Sequence, residues 1–130
     1  DPCHTPMKTH KPLKVVESLM GLPVPLNDRC CGESGTLAVS RPDVSTQVRF
    51  RKEEEIARSA ASARADGFGG EVKILTSCPS CLQGLSRFDQ DAGTSADYIV
   101  VEMARHLLGE RWMPEFVEKA NRGGIERVLL

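Results

Sequence analysis

Five cysteines in three groups constrain this chain more than any other feature of its sequence. They are Cys3, the adjacent pair Cys30 and Cys31, and the pair Cys78 and Cys81 within a Cys-Pro-Ser-Cys motif. An odd number argues against a disulfide framework, and a bond between the neighbours Cys30 and Cys31 would be strained. Clustered cysteines in a chain with no sign of export indicate metal binding or redox chemistry. The fold must therefore bring distant loops together.

The composition is that of an ordinary globular domain, with 40% hydrophobic and 27% charged residues among 130. The formal net charge is -1 and basic residues alternate with acidic ones, so we expect no nucleic-acid partner. No apolar run approaches the roughly 18 residues of a membrane span, and no leader is visible, so we expect no membrane span and a cytoplasmic location. Because the chain begins at Asp1, next to a candidate functional cysteine, we expect a fragment of a longer protein with one domain over residues 1–130.

Hydrophobic periodicity predicts helices that alternate with strands. The predicted helices cover residues 13–20, 42–65, 101–108 and 114–121, and a further helix follows Cys78 through Leu82, Leu85 and Phe88. The predicted strands cover 71–76 and 97–100, and residues 125–130 are a terminal strand or tail. In the long helix, Val44, Val48, Ile56 and Ala60 share one face. Strands separated by helices predict an α/β fold in which a layered parallel sheet is flanked by helices.

Two of the cysteine groups lie where backbone amides can stabilise a thiolate. Pro79 marks the first turn of a helix whose N–H groups point back toward the Cys78–Cys81 pair. The segment from Gly32 to Gly35 is a flexible loop that lets the backbone approach a bulky centre. Soft thiolates favour iron-sulfur clusters or zinc, and five exceed the four that a tetrahedral ion requires.

Three motifs in order carry a family resemblance: Asp1-Pro2-Cys3-His4, then Cys30-Cys31-Gly32 with Gly35, then Cys78-Pro79-Ser80-Cys81. The chain from Asp1 to about Leu108 resembles the cysteine-rich CCG domain found in heterodisulfide reductases, in glycolate oxidase iron-sulfur proteins and in some FAD-linked oxidases. The gap of 46 residues between Cys31 and Cys78 is more similar to the glycolate oxidase and FAD-linked oxidase branches. The corresponding heterodisulfide reductase chain would have two sets of these cysteines, whereas this chain has one.

The resemblance implies that Cys3, Cys30, Cys31, Cys78 and Cys81 hold one 4Fe-4S cluster of the noncubane kind, with Gly32, Gly35 and His4 beside it. It further implies an electron-transfer domain of an FAD-linked oxidoreductase that acts on a 2-hydroxy acid of the glycolate or lactate type. FAD is then expected on an upstream domain or a partner chain, and a further acceptor takes the electrons. On this interpretation the fragment is not a complete enzyme, and it reaches the membrane surface only through its partners.

Several alternatives stay open from the residues alone. The thiols could be buried as small hydrophobes, Cys78 and Cys81 could form a thioredoxin-like dithiol, or zinc could substitute for the cluster as the metal of an interaction domain. His4 either supports the metal or is solvated. We interpret residues 53–55, three consecutive glutamates, as a solvated helix face. The glycine run 67–70 precedes a strand, so it is not a dinucleotide fingerprint.

Overall fold

The computed structural model of the protein describes residues 11–33 and 36–123. Within these ranges the chain forms seven α-helices, one 3₁₀ turn (Ser86–Phe88) and two β-strands. In chain order the helices and strands are α1 (Lys11–Met20), α2 (Leu37–Ser40), α3 (Pro42–Ala65), β1 (Val72–Thr76), α4 (Pro79–Leu85), α5 (Asp89–Ala92), β2 (Thr94–Tyr98), α6 (Ile99–Leu108) and α7 (Trp112–Gly123).

The two strands pair in parallel, with Ile74 of β1 opposite Ala96 of β2. Helices α4 and α5 lie in the connection between them, which makes a β-α-β unit and confirms the predicted α/β class. The predicted strand at 97–100 was placed three residues too late, because β2 starts at Thr94 and α6 starts at Ile99. Its sequence Thr-Ser-Ala-Asp-Tyr has only Ala96 and Tyr98 as apolar residues, so its start is identified by the pairing with β1.

The long helix α3 has the predicted bounds, with Pro42 in its first turn and Gly67 at φ +90° just beyond its end. The predicted apolar face is wrong in its first half, since Val44 is 38% exposed. The buried positions are instead Ser45, Lys52, Ile56 and Ala60. The first half of α3 therefore packs through polar side chains, which a search for apolar periodicity does not detect.

The hydrophobic core contains two of the cysteines. Its buried members come from the 21–33 loop, α3, β1, α4 and the 3₁₀ turn, and they are Cys31, Ile56, Ile74, Cys81, Leu85 and Phe88. Cys78, Ala92 and Ala96 pack against this cluster. The thiols thus lie inside the packed interior and not on a surface loop.

A buried carboxylate joins the sheet to helix α6. Glu102 is 8% exposed and accepts a 2.8 Å hydrogen bond from Nζ of Lys73 on β1. Arg105 pairs with Glu102 on the same helix and with Asp97 of β2, at 3.6 Å. Because each buried charge has an opposite partner, the network keeps α6 against both strands without leaving an isolated charge inside.

The last helix, α7, covers the predicted 114–121 segment, and the predicted terminal strand or tail at 125–130 lies outside the described residues. Its apolar side chains Met113, Phe116 and Val117 are 36–49% exposed. Among the described residues no helix combines the length and apolar character that crossing a bilayer would need.

We expect Leu85→Ala to lower the free energy of unfolding by about 2–4 kcal/mol, because it removes a core side chain that is 1% exposed. The matched control is Leu108→Ala, where the same side chain is 70% exposed and the loss should stay within about 0.5 kcal/mol. Urea unfolding followed by circular dichroism measures both. Equal losses for the two variants would contradict the core described above.

Candidate metal centre

Four of the five predicted metal ligands lie among the described residues, in two regions. Cys30 and Cys31 end the irregular segment 21–33 that follows α1. Cys78 immediately precedes α4 and Cys81 lies in its first turn, so the predicted placement at a strand-to-helix junction is confirmed. Cys3 lies outside the described residues, as do the predicted neighbours of the cluster His4 and Gly35.

The two regions meet at the thiols of Cys31 and Cys81, whose Sγ atoms are 3.2 Å apart. Both residues are buried, at 2% and 6% exposure, and both are free thiols. The thiol of Cys78 is half-buried and lies close enough to Cys81 to affect its ionisation. Three thiols from two segments separated by about 50 residues therefore come together in the core.

Burial raises the pKa of the Cys81 thiol, and the hydrogen bonds and charges of Cys31 and then Cys78 raise it further. Both causes disfavour an anion, because the site is desolvated and a second thiolate beside the first would repel it. Only a cation held between the sulfurs would reverse that preference, since metal binding deprotonates thiols. Without a metal, the anionic form of the Cys81 thiol is therefore disfavoured.

Backbone amides contribute differently at the two cysteine pairs. The N–H of Gly32 donates to Sγ of Cys30 at 3.4 Å, as expected for a loop that directs amides toward sulfur. At the start of α4 the side chain of Cys78 makes no capping hydrogen bond to the helix. The helix begins instead with the carbonyl of Cys78 accepting from the N–H of Leu82, at 2.9 Å.

Cys30 lies apart from the buried pair. It lines a surface cleft together with Arg29, Val48, Arg51 and Glu54, and its side chain is half-buried. Arg29 donates to the carbonyl oxygen of Arg51 at 2.8 Å and pairs with Glu54 at 3.5 Å. Of the neighbouring cysteines 30 and 31, one thus lines a solvent-facing cleft and the other lies in the core.

The donor set suits a soft metal, but the described residues do not form a ready-made ion site. No three side chains among the His, Cys, Asp and Glu of residues 11–33 and 36–123 are arranged to hold one ion. Two thiolates on one tetrahedral ion at about 2.3 Å lie roughly 3.8 Å apart, so Cys31 and Cys81 at 3.2 Å would have to separate slightly. The chemistry of the donors fits zinc or an iron-sulfur centre, with small movements required.

Gly32 holds the irregular segment 21–33, the cysteine loop, against helix α3. Its φ is +81°, and a Cβ atom there would lie 2.7 Å from Cγ of Arg49 and 3.1 Å from the carbonyl oxygen of Ser45. Ser45, which is fully buried, donates from its hydroxyl to the carbonyl oxygen of Gly32 at 2.7 Å. We predicted that Gly32 lets the backbone approach a cofactor. In the structure Gly32 packs closely against α3.

Glu33 is a site residue that the sequence analysis missed, because we interpreted its segment as a flexible loop. Its side chain is 8% exposed and its carboxylate lies 2.9 Å from Nη1 of Arg87 and 3.9 Å from Nη1 of Arg49. Arg87 belongs to the 3₁₀ turn and Arg49 to α3. One carboxylate therefore connects the cysteine loop to both neighbouring elements. A lone glutamate after Gly32 offers no periodic signal by which to find it.

Gly84 lets helix α4 approach the cysteine loop. A Cβ atom at this position would lie 2.5 Å from Cγ of Glu33 and 3.4 Å from the carbonyl oxygen of Cys31. Since Gly84 is one turn beyond Cys81 on α4, the missing side chain is what brings the two thiols together.

Glu55 anchors the cysteine loop just before Cys30. Our expectation of a solvated helix face at 53–55 was therefore wrong for this residue. Its carboxylate accepts hydrogen bonds from the N–H groups of Asp28, at 3.2 Å, and Arg29, at 3.3 Å. Nζ of Lys52, whose side chain is fully buried, lies 2.8 Å from it. Burial alone would raise the pKa of Glu55, but the bond and charge of Lys52 and the two amides outweigh burial and lower it.

Comparison with known proteins bears on the other end of the chain. A family model described as a domain of unknown function, DUF3400, matches residues 86–130, about a third of the sequence. The matched segment begins after the last cysteine and includes Arg87, β2, α6 and α7. No curated protein and no solved structure matches the chain.

We expect Gly84→Ala to lower the free energy of unfolding by about 1–3 kcal/mol, because the new methyl group overlaps the buried side chain of Glu33. Alanine is otherwise the better helix former, so any loss must come from this contact. Gly69→Ala is the control, since a Cβ atom at Gly69 has nothing within 4 Å. Urea unfolding measures both, and a stabilised Gly84→Ala protein would contradict the close approach of loop and helix.

We expect the lowered pKa of Glu55 to make the protein less stable in acid. A carboxyl group whose pKa falls on folding stabilises the protein above its unfolded pKa of about 4.3, and that contribution disappears as pH falls through the folded pKa. Glu55→Gln should therefore cost about 1–2 kcal/mol at pH 7 and much less at pH 3. Urea unfolding at both pH values, with Glu53→Gln as the control, provides the measurement. A cost that does not depend on pH would contradict this assignment.

Proposed function

We propose that this chain is an iron-sulfur electron-transfer domain whose cluster is held by Cys3, Cys30, Cys31, Cys78 and Cys81. The observation that supports the proposal is the meeting of Cys31, Cys78 and Cys81 in the core, from two segments far apart in sequence. Cys31 and Cys78 raise the pKa of the Cys81 thiol, and closely placed thiolates are unfavourable neighbours unless a cation neutralises them. A bound metal would stabilise these neighbouring thiols as thiolate ligands, whereas buried free thiols would have no such stabilisation.

The cysteine loop supplies the rigidity that an electron-transfer site needs. Ser45, Glu33 and Glu55 each tie it to a helix or turn, so its thiols change position little between oxidation states. A bound cluster supplies the chemistry, which is to accept and release single electrons. The apolar residues around Cys31 and Cys81, among them Ile56 and Leu85, exclude water from the buried side.

The cleft at Cys30 is the side on which a partner would approach. A described cysteine lines this solvent-facing cleft, and Arg29 and Arg51 border it. In the proposed role electrons arrive from a flavin on another domain or chain, which has oxidised a 2-hydroxy acid, and continue to a further acceptor. These partners, like the oxidoreductase assignment and the cytoplasmic location, rest on the resemblance to the CCG domain.

A structural zinc domain is the second candidate, and the same observation favours it. Buried thiols that join a loop to a helix are typical of zinc sites that stabilise small folds. A thioredoxin-like dithiol is less well supported, because the Cys81 thiol contacts Cys31 at 3.2 Å as well as its motif partner Cys78. Insulin reduction by the chain would test that third role.

We expect anaerobic reconstitution with iron and sulfide to give a brown protein with about four iron atoms per chain and an EPR signal in one oxidation state. Cys31→Ser and Cys81→Ser should each reduce the iron content to near zero, because each removes a thiolate from the core. Ser80→Ala is the matched control, since it changes the same turn of α4 without changing a thiol and should keep the iron. Metal analysis by mass spectrometry and visible absorption provide the readouts.

A colourless protein that contains one zinc and takes up no iron would refute the iron-sulfur proposal and favour the zinc domain. Iron uptake that survives both cysteine substitutions would refute the assignment of these ligands.

A further inference from the structure

The two buried thiols are closer to each other than metal binding alone requires. The Sγ atoms of Cys31 and Cys81 are 3.2 Å apart, whereas disulfide sulfurs are separated by about 2.05 Å. A shift of about 1.2 Å would bring the sulfurs to bonding distance. The two sulfurs lie between the cysteine loop and α4 and are in direct contact. No other described atom separates them.

We propose that in the metal-free protein Cys31 and Cys81 form a reversible disulfide. It is a modification of the apo site, independent of whether iron or zinc binds when a metal is present.

The anchoring of the cysteine loop holds Cys31 beside Cys81. Ser45 binds the carbonyl of Gly32, and Arg87 binds Glu33, on the two residues that follow Cys31. These contacts keep Cys31 facing α4, so its thiol has a high effective concentration at Cys81. The loop loses little additional entropy when the bond forms, because it is already held in place.

Hydrogen peroxide is a two-electron oxidant that can convert such a pair to a disulfide. Peroxide converts one thiol to a sulfenic acid and releases a water molecule, and the second thiol then attacks that sulfur and releases another. Two thiols lose two electrons and two protons in total, and one peroxide is reduced to two water molecules. A small thiol reverses the reaction through a mixed disulfide.

The bond would have two consequences for the protein. It would close a loop of 50 residues and so restrict the unfolded chain. It would also remove two thiolates from any metal, so that metal could enter only after reduction. In the metal-free protein the disulfide would thus protect both sulfurs from oxidation to sulfinic and sulfonic acids.

The test uses the full chain, stripped of metal with a chelator, reduced, and then treated with one equivalent of hydrogen peroxide. Free thiols are alkylated, the protein is digested without reduction, and the peptides are identified by mass spectrometry. We expect a cross-linked peptide pair containing Cys31 and Cys81, with Cys30 alkylated. The oxidised protein should also unfold at a Tm higher by roughly 5–10 °C.

Two variants keep the test decisive. Cys30→Ser changes the neighbouring thiol that faces the cleft and should keep both the cross-link and the rise in Tm. Cys31→Ser should lose both, because a bond between Cys78 and Cys81 closes too short a loop to raise the Tm measurably. Oxidised wild-type protein that joins Cys81 to any other cysteine, with Cys31 alkylated, would overturn the proposal. So would a protein whose four described thiols are all alkylated after peroxide treatment.

Discussion

The burial of Cys31, Gly32 and Glu33 between helices α3 and α4 is the constraint on which the rest of the structure depends. This three-residue segment has no helical or strand hydrogen bonds of its own, so its polar groups need partners from elsewhere. Ser45 and Arg87 supply them, and two glycines, Gly32 and Gly84, let the backbones come close enough. The core, the thiol site and the approach of α4 to α3 are therefore one packing arrangement.

Charge balance explains why helix α3 has a polar buried face. The loop contributes the carboxylate of Glu33 to the interior, and α3 contributes Arg49 beside it and the buried Lys52, which pairs with Glu55. Burying one ion without another would cost several kcal/mol. The helix thus carries charged residues at positions that a simple amphipathic pattern would reserve for apolar ones, and its apolar contact with the core is made by Ile56 and Ala60.

Much of the fold was predictable from local signals. Pro42 and the glycines after Ala65 define α3, and the alternation before Thr76 followed by Pro79 defines the junction at which Cys78 and Cys81 lie. The short helices α2 and α5 were not predicted, since four residues carry too little periodicity to be recognised. Strand β2 was misplaced because its identity comes from pairing with β1 and not from its own residues.

Local propensities and turn residues are enough to predict the α/β class, the irregular loop around Cys30 and Cys31, and the strand-to-helix turn around Cys78 and Cys81. The meeting of Cys31 with Cys81, while Cys30 faces a cleft, emerges only when the chain is folded. The same is true of Glu33 and Glu55 as anchors of the loop. Those outcomes depend on contacts between residues about 20 to 55 positions apart in the sequence. No local sequence pattern predicts which of such distant residues meet in the folded chain.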